Sequence, residues 1–169
     1  MQSEQQWVYL NGDFLPLEQA RISVMDRGFL FGDGVYEVIP CYGGRLFRVN
    51  QHLQRLDHSL QAIGMRNPKT AEAWRAVLES LVARATNGDQ SVYLQVTRGA
   101  YGERNHAVPA DIEPTLFAMA SPLQPASPEI AERGIAASTA EDIRWLRCDI
   151  KSIALLANVM LREEADRQG

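Results

Sequence analysis

Apolar and polar positions alternate near the start of the chain, as they do in β-strands. Apolar residues at positions 8 and 10 precede Asn11-Gly12, a pair that favours the type I′ turn of a β-hairpin, and the return strand is expected to begin at Phe14. Farther on, Val35–Ile39 is rich in strand-forming residues, and Gly43-Gly44 can turn the chain into a partner strand. The pattern predicts further strands at Ser91–Arg98, Thr115–Ala120 and Gly134–Thr139.

Helices are predicted where apolar residues recur every three or four positions. The first is expected to begin at an N-cap, Asn50, and to end at Gly64, and its apolar residues are Leu53, Leu56, Leu60 and Ile63. The second is expected to begin at Thr70 and to end at Asn87-Gly88, and its apolar residues are Trp74, Val77, Leu78, Leu81 and Val82. A third helix is predicted from about Ser152 to Arg167.

A proline-rich segment at residues 121–128 divides the chain. It holds three of the eight prolines, which stiffen extended chain and disfavour a central strand. We therefore predict an α+β fold with an N-terminal α/β domain at residues 1–120, a linker at 121–128, and the start of a second domain at 129–169. One strand and one helix are too few to bury a core of their own, so we expect this second domain to be incomplete within the chain.

Composition excludes several classes of function. The chain has 169 residues, 46% of them hydrophobic and 22% charged, values that are ordinary for a globular protein. Its formal net charge of -4 provides no basic surface for nucleic acid and no basic amphipathic anchor for a membrane. The first seven residues contain neither a basic nor an apolar region, so no signal peptide is predicted. Two cysteines, Cys41 and Cys148, are too few for a disulfide framework, and we expect a cytoplasmic location.

Common catalytic motifs are missing from the sequence. His52 and His58 are six residues apart on one predicted helix and face different ways, so no metal site is predicted. Gly32-Asp33-Gly34 lacks the other residues of a phosphate-binding loop and is expected to be a tight turn that enters a strand. The chain also has no Gly-x-Ser-x-Gly elbow of a serine hydrolase.

Lysine is rare in this chain, which makes one position informative. Only Lys69 and Lys151 occur among the 17 basic residues. Lys69 lies in a predicted turn, whereas Lys151 lies among apolar neighbours at 150 and 153–156. Lys151 is either a lysine that extends from a helix start to water or a desolvated amine suited to imine chemistry. No other residue offers a comparable nucleophile.

Two further positions are candidates for anion binding. Arg104 and His106 are two apart in the polar loop at 101–113, so on extended chain they would point the same way and could grip a carboxylate. A solvated arginine beside an incidental histidine is the alternative. Arg55 lies off the apolar stripe of its predicted helix and is either a solvated residue or an arginine directed at a phosphate. Spacing alone leaves both questions open.

Four segments of the chain are specific enough to suggest a family when they are taken in order. They are DRGFLFGDGVYEV at 26–38, QHLQRL at 51–56, QVTRG at 95–99 and EDIRWLRCDIKS at 141–152. Together they resemble the fold-type IV (class IV) pyridoxal-phosphate-dependent aminotransferases. The last segment is very similar to the Schiff-base lysine segment of the D-amino-acid members, and the resemblance covers the whole chain.

The resemblance implies a role for each candidate residue. Lys151 would carry pyridoxal 5'-phosphate as a Schiff base and would then move the proton of the substrate. Arg55 would pair with the cofactor phosphate. Tyr36, Arg104 and His106 would bind the substrate carboxylate, the last two from the neighbouring subunit of a homodimer. Trp145 would line or support the site, and Cys148 would be a buried small residue rather than a nucleophile.

The activity implied is transamination of D-amino acids, of the D-alanine type, with 2-oxoglutarate as the acceptor. The Arg-x-His pair resembles these members more than the branched-chain aminotransferases or the aminodeoxychorismate lyases, which are the alternatives within the family. A non-catalytic truncated domain is the alternative outside it. Chains of this family continue well beyond the lysine segment, so we expect the 169 residues alone to bind the cofactor weakly or not at all.

Overall fold

The computed structural model describes residues 5–85 and 88–168. Asn87, at the predicted end of the second helix, lies outside these residues. The chain divides into two compact units. The first consists of the residues up to Leu123 together with Ile150–Ala154, and the second consists of Gln124–Asp149 and the residues from Leu155 onward. The residues Ile150–Ala154 are called the lysine segment below.

The first unit is built on an antiparallel sheet. Within the described residues it has six strands, which lie side by side in the order β2-β1-β6-β5-β3-β4. Their bounds are β1 Trp7–Leu10, β2 Asp13–Pro16, β3 Gly34–Tyr42, β4 Arg45–Leu46, β5 Gln90–Thr97 and β6 Thr115–Pro122. The strands predicted at 35–39, 91–98 and 115–120 are therefore confirmed, as is the N-terminal hairpin. The loop at 101–113 contains no strand or helix.

Two helices cover one face of this sheet. They are α2, Val49–Ala62, and α3, Ala71–Arg84. The covered face of the sheet contributes fully buried residues, among them Val35, Ile39, Val92, Leu94, Val96 and Ala118. The predicted helical stripes meet them with the buried residues Leu53, Leu56, Leu60, Trp74, Leu78 and Leu81. Each such aliphatic side chain contributes about 1.5–3 kcal/mol when it is buried, so this layer holds the helices on the sheet.

Local turn and cap signals mostly agree with the structure. Asn11 and Gly12 both have positive φ angles, 50° and 116°, as a type I′ turn requires. Thr70 caps α3 by accepting a hydrogen bond from the Ala73 N–H at 3.2 Å, and Gly64 follows α2 with a φ of 69°. The predicted cap at Asn50 is wrong, because α2 already begins at Val49 and the residue before it, Arg48, has a left-handed φ of 51°.

A short helix precedes β3 and was not predicted. This helix, α1, spans Arg27–Phe31, and the Asp26 side chain caps it by accepting from the Gly28 N–H at 2.8 Å. It ends at Gly32, whose φ of 68° suits a glycine. The predicted tight turn at Gly32-Asp33-Gly34 is confirmed, since β3 begins at Gly34.

The other face of the sheet carries aromatic residues. Tyr36 stacks on Tyr93 with ring centroids 5.6 Å apart, and Tyr93 lies 6.4 Å from Phe117. The Tyr93 hydroxyl donates to Gln95 Oε1 at 2.6 Å. Burial, and to a smaller extent the neighbouring Tyr36, raises the pKa of Tyr93 to about 12, so its phenol is neutral at physiological pH.

The second unit contains two helices and is mostly exposed. They are α4, Pro128–Arg133, and α5, Leu156–Gln168. The strand predicted at Gly134–Thr139 is wrong, because these residues are exposed and pair with no strand. Among the described residues no helix is long and apolar enough to cross a membrane, and no group of three or more His, Cys, Asp or Glu side chains could hold a metal ion.

The predicted start of the last helix at Ser152 is also wrong. Ser152 forms a β-bridge with Val35, and α5 begins only at Leu156. The backbone of the lysine segment forms strand-like hydrogen bonds with β3 instead of the first turn of a helix. The domain bounds given above stay a prediction, although β6 extends to Pro122, inside the predicted linker.

Candidate functional site

The lysine segment pairs with the open edge of β3. At its start, β3 is bonded to β5 on one side only. On the other side, the Tyr36 N–H donates to the Lys151 carbonyl oxygen at 3.0 Å, and the Ile153 N–H donates to the Gly34 carbonyl oxygen at 3.1 Å. Two strand-like hydrogen bonds therefore fix the backbone on both sides of Ser152.

Lys151 is held from a helix as well as from the sheet. Its N–H donates to the Oγ of Ser59 at 3.2 Å, and Ser59 is completely buried on α2. Its Nζ lies 3.9 Å from the centroid of the Tyr36 ring. The side chain is partly buried, with its amine against the face of an aromatic ring, where a cation is stabilised. The structure thus brings together Lys151 and Tyr36 of the predicted site.

A buried carboxylate lies next to Tyr36 in the sequence. Glu37 has no exposed surface and accepts two hydrogen bonds from Arg55, Nε to Oε1 at 2.6 Å and Nη2 to Oε2 at 2.6 Å. The His52 Nδ1 lies 2.8 Å from the same Oε2. A buried charge of this kind is tolerated because it is paired and hydrogen-bonded on both oxygens. These contacts raise the pKa of Arg55 above its ordinary value, mainly through the hydrogen bond to Glu37.

The Arg55 guanidinium is fixed on one side by Glu37, while the side chain stays about half exposed. The fork to Glu37 uses Nε and Nη2, and the Arg55 side chain remains 51% exposed. Its Nη1 makes no hydrogen bond within residues 5–85 and 88–168. A guanidinium oriented in this way can still bind a phosphate or a carboxylate.

Glu37 and Ser59 are residues that the sequence analysis missed. Glu37 lies midway between Val35 and Ile39 on β3, so all three side chains point to the covered face of the sheet. Ser59 lies three positions after Leu56, on the buried side of α2. A polar residue at a predicted core position was therefore the available signal in both cases.

Arg104 and His106 meet on one aromatic ring. The Arg104 Cζ lies 5.0 Å from the centroid of the Phe31 ring, and the His106 ring lies 5.1 Å from it. Both residues are exposed. In the described part of the chain, no hydrogen bond or ring contact joins either of them to Tyr36, Arg55 or Lys151. Of the five predicted site residues, Lys151 contacts Tyr36 and Arg104 shares one ring with His106, while Arg55 bonds to Glu37 of β3.

Trp145 and Cys148 belong to the second unit. Trp145 is 48% exposed, and the Cys148 Sγ donates to its carbonyl oxygen at 3.0 Å. The expectation that Cys148 is buried is wrong, because this thiol is exposed while that of Cys41 is buried. The short loop around them turns through local pairs such as Arg147 with Asp149 and does not enclose the sulfur.

The fold and these segments define a family. The family model described as amino-transferase class IV matches residues 34–169, so the chain belongs to this family. The match includes β3, α2, the loop with Arg104 and His106, and the lysine segment. The resemblance stated from the four segments is confirmed.

Individual relatives agree with this assignment. D-alanine aminotransferase of Listeria monocytogenes serotype 1/2a (strain 10403S) is 42% identical over 163 residues, which are 95% of this chain and 56% of the relative. The D-alanine aminotransferase of Staphylococcus epidermidis (strain ATCC 35984) is 41% identical over 159 residues, 94% of this chain and 56% of the relative. The chain therefore spans little more than half the length of these relatives.

Solved structures show the same fold. The Escherichia coli branched-chain amino acid aminotransferase matches with a TM-score of 0.87 and 22% identity, over 98% of this chain and 57% of that one. A hypothetical aminotransferase from Mycobacterium tuberculosis, in a PLP-bound form, matches with a TM-score of 0.80 and 25% identity, over 96% and 59%. The predicted fold class is confirmed.

Proposed function

We propose that this chain carries part of the active site of a pyridoxal-phosphate-dependent transaminase for D-amino acids of the D-alanine type, with 2-oxoglutarate as the amino acceptor. The observation that carries the proposal is the position of Lys151. Its backbone is held by β3 and by Ser59, and its Nζ lies on the Tyr36 ring. The relatives that are 41–42% identical support the D-alanine type.

The side chains present fit pyridoxal phosphate chemically. Lys151 Nζ is a primary amine that can condense with the aldehyde group with release of water, and the accessible side of the Arg55 guanidinium can bind the phosphate. When bound, the cofactor supplies an electron sink for the substrate Cα. Glu37 holds Arg55 in one orientation, so its guanidinium is already ordered before the phosphate arrives.

The residues of this chain would share the remaining work. With the substrate amine in its place, the freed Lys151 amine would accept the proton of the substrate Cα on Nζ and would deliver it to the cofactor carbon C4′. Tyr36, which packs against Nζ, would orient that amine and contribute to carboxylate binding. Fixing the carboxylate on one side directs the Cα hydrogen toward Lys151 and so selects the D-enantiomer.

Arg104 and His106 complete the proposed carboxylate site from a second subunit. They are exposed and make no contact with Lys151 within the described part of their own chain, which suits residues that act across a homodimer interface. Residues 1–120 would then form the N-terminal domain, 121–128 the linker, and 129–169 the start of the cofactor-binding domain. The two free cysteines fit a reducing cytoplasm.

The experiment that tests this function uses the second lysine as a matched control. The full-length protein is incubated with pyridoxal phosphate, treated with borohydride to fix any adduct, and digested for mass spectrometry. We expect the label on Lys151 and none on Lys69, and we expect Lys151→Ala, but not Lys69→Ala, to abolish it. A label on Lys69, or none on the wild-type protein, would overturn the proposed attachment.

Substrate type is tested on the same protein by its visible spectrum. D-Alanine, but not L-alanine, should bleach the absorbance band of the bound cofactor, and 2-oxoglutarate should restore it. Bleaching by branched-chain L-amino acids would favour a branched-chain aminotransferase. Release of pyruvate and p-aminobenzoate from aminodeoxychorismate would favour a lyase, and a protein that binds no cofactor would favour a non-catalytic domain.

A further inference from the structure

A buried arginine lies beneath the loop that carries Arg104 and His106. The side chain of Arg27 is only 7% exposed, and it donates to three consecutive carbonyl oxygens of this loop. The distances are 2.6 Å from Nη1 to Asn105, 3.2 Å from Nη2 to His106 and 3.3 Å from Nη1 to Ala107. Three successive carbonyl oxygens that accept from one buried side chain leave the backbone little freedom, so Arg27 constrains how the loop turns here.

Arg27 is itself fixed from the other side. Its side-chain Nε donates to Asp33 Oδ2 at 2.8 Å, and its backbone N–H donates to the Gly99 carbonyl oxygen at 2.8 Å. The same Oδ2 accepts from Arg98 Nε at 2.8 Å. Burial alone would raise the pKa of Asp33, but the hydrogen bonds and charges of Arg98 and Arg27 outweigh it and lower that pKa. The carboxylate is thus charged and holds both arginines.

Phe31 supports the side chains of the loop. It lies one turn after Arg27 on α1, and the Arg27 Cζ is 5.0 Å from its ring centroid. The same ring contacts Arg104 and His106, as described above. Arg27 therefore holds the backbone between Arg104 and Ala107, while Phe31 holds the two side chains that project from it.

We propose that Arg27 is a positioning residue for substrate carboxylate binding, acting through the loop that presents Arg104 and His106. This inference rests on the proposed function, because it gives the loop its ligand. An arginine fork reaches Asp33 and three carbonyls at once, whereas the single ammonium of a lysine cannot. Removing the fork leaves Arg104 and His106 chemically intact but allows their backbone to move, which weakens binding without removing the groups that bind.

The test compares three variants of the full-length holoenzyme. Arg27→Lys keeps the charge and removes the fork. Phe31→Leu removes the aromatic support and keeps an apolar side chain. Arg75→Lys is the matched control, since Arg75 lies on α3 and its bonds in the described part of the chain are to the surface residues Asn50 and Glu79. For each protein the KM and kcat for D-alanine are measured, together with hydrogen–deuterium exchange of the amides at 103–108.

We expect Arg27→Lys to raise the KM for D-alanine about tenfold or more, which is the scale of one lost charge-assisted hydrogen bond, while kcat stays within about threefold. The loop amides should exchange faster, and the cofactor spectrum should not change. Phe31→Leu should raise the KM by a smaller factor of about three, since a cation is held only weakly on an exposed ring. Arg75→Lys should match the wild type.

Unchanged KM and unchanged loop exchange in Arg27→Lys would overturn the inference. If Arg27→Lys does not fold, Phe31→Leu decides, and a wild-type KM with wild-type loop exchange in that variant overturns it equally. Equal losses in kcat and cofactor binding would also overturn it, because they indicate a general structural role. Failure of the proposed function has a different signature, since the wild-type protein itself would then not react with D-alanine.

Discussion

Glu37 shows how one buried carboxylate fixes the side chains of α2 that face it. It is fully buried, and both of its oxygens accept hydrogen bonds from α2. Such a group is costly to bury unless its partners are present, and removing the charge leaves those partners without their acceptor. Because one of the partners is Arg55, the effect of Glu37 extends to the proposed phosphate site.

We predict that Glu37→Gln weakens both the fold and cofactor binding. An amide can accept only one of the two arginine bonds, so the free energy of unfolding should fall by about 1–3 kcal/mol. Loss of the charged partner lets Arg55 rotate to solvent, and the Kd for pyridoxal phosphate should rise about tenfold. Urea denaturation and a spectrophotometric titration of the full-length protein measure the two effects.

The control for this prediction is Glu79→Gln. Glu79 is exposed on α3 and lies 3.7 Å from Arg75, the geometry of a surface pair that contributes little. Its substitution should leave both measurements at their wild-type values. A Glu37→Gln protein that binds the cofactor as tightly as wild type would show that Glu37 does not orient Arg55.

Single residues were predictable where the chemistry is rare. Lys151 stood out because the chain has only two lysines, and Arg104 with His106 stood out through their spacing. Ser59 and Glu37 were not identified, since serine and glutamate are common residues. Their roles follow from their burial between the sheet and α2, which the sequence does not show. Arg27 was likewise invisible, because the three carbonyls it binds lie at least 78 residues away along the chain.

Gly34 is the point at which three elements meet. It begins β3, and a Cβ built on it would lie 2.8 Å from the Val96 carbonyl oxygen in β5 and 3.0 Å from Ile153 Cδ1 in the lysine segment. The Val96 oxygen belongs to the backbone of β5, and Ile153 belongs to the lysine segment, whose backbone is hydrogen-bonded to Gly34. The glycine thus permits the lysine segment to approach β3 closely.

We predict that Gly34→Ala displaces the lysine segment. The added methyl group meets backbone on one side and Ile153 on the other, so the free energy of unfolding should fall by about 1–3 kcal/mol, as for other overpacked sites. Thermal unfolding measures this change, and borohydride labelling reports whether Lys151 still reaches the cofactor. Labelling should be slower than in the wild-type protein.

Gly102→Ala is the comparison for this variant. A Cβ at Gly102 meets no atom within 4 Å, so stability should change by no more than about 0.5 kcal/mol and labelling should not change. If Gly34→Ala behaved in the same way, the close approach between β3 and the lysine segment would be absent from the protein in solution.

Elements were predictable from sequence when their signals were local. The hairpin at 11–12 and the helix beginning at Thr70 depend on turn and cap residues, and both are confirmed. The part of the lysine segment from Ser152 onward was predicted as helix, because a short apolar run has no periodicity that separates strand from helix. Its partner, the open edge of β3, lies more than a hundred residues earlier and gives no local signal.

At the scale of the whole molecule, the proposed site divides into two groups of side chains. Lys151, Tyr36 and Arg55 lie around β3 and α2, whereas Arg104 and His106 rest on Phe31 and face outward. In the homodimer we propose, the two-fold symmetry would apply equally to both loops, so each of the two sites would draw on both chains. In this arrangement, the Lys151 and the Arg104 of one site come from different chains.

We predict that two inactive variants restore each other when their subunits are mixed. Full-length Lys151→Ala lacks the lysine, and full-length Arg104→Ala lacks the carboxylate-binding arginine. In a hybrid dimer, the site built on the Lys151 of one subunit receives Arg104 from the other, so one of its two sites is intact. Random mixing makes half of the dimers hybrid, and the mixture should recover about a quarter of wild-type activity at low D-alanine concentration.

The same mixture of dimers gives different activities if Arg104 acts across the subunit interface or within its own chain. If Arg104 acted on the Lys151 of its own chain, every site in a hybrid would lack one of the two residues, and mixing would restore nothing. Mixing Lys151→Ala with a Lys151→Ala, Arg104→Ala double variant supplies the control, since no site in any of its dimers contains a lysine at 151. Activity that rises only in the first mixture requires a carboxylate site built from two subunits, and activity that stays at the level of the control places the site within one chain.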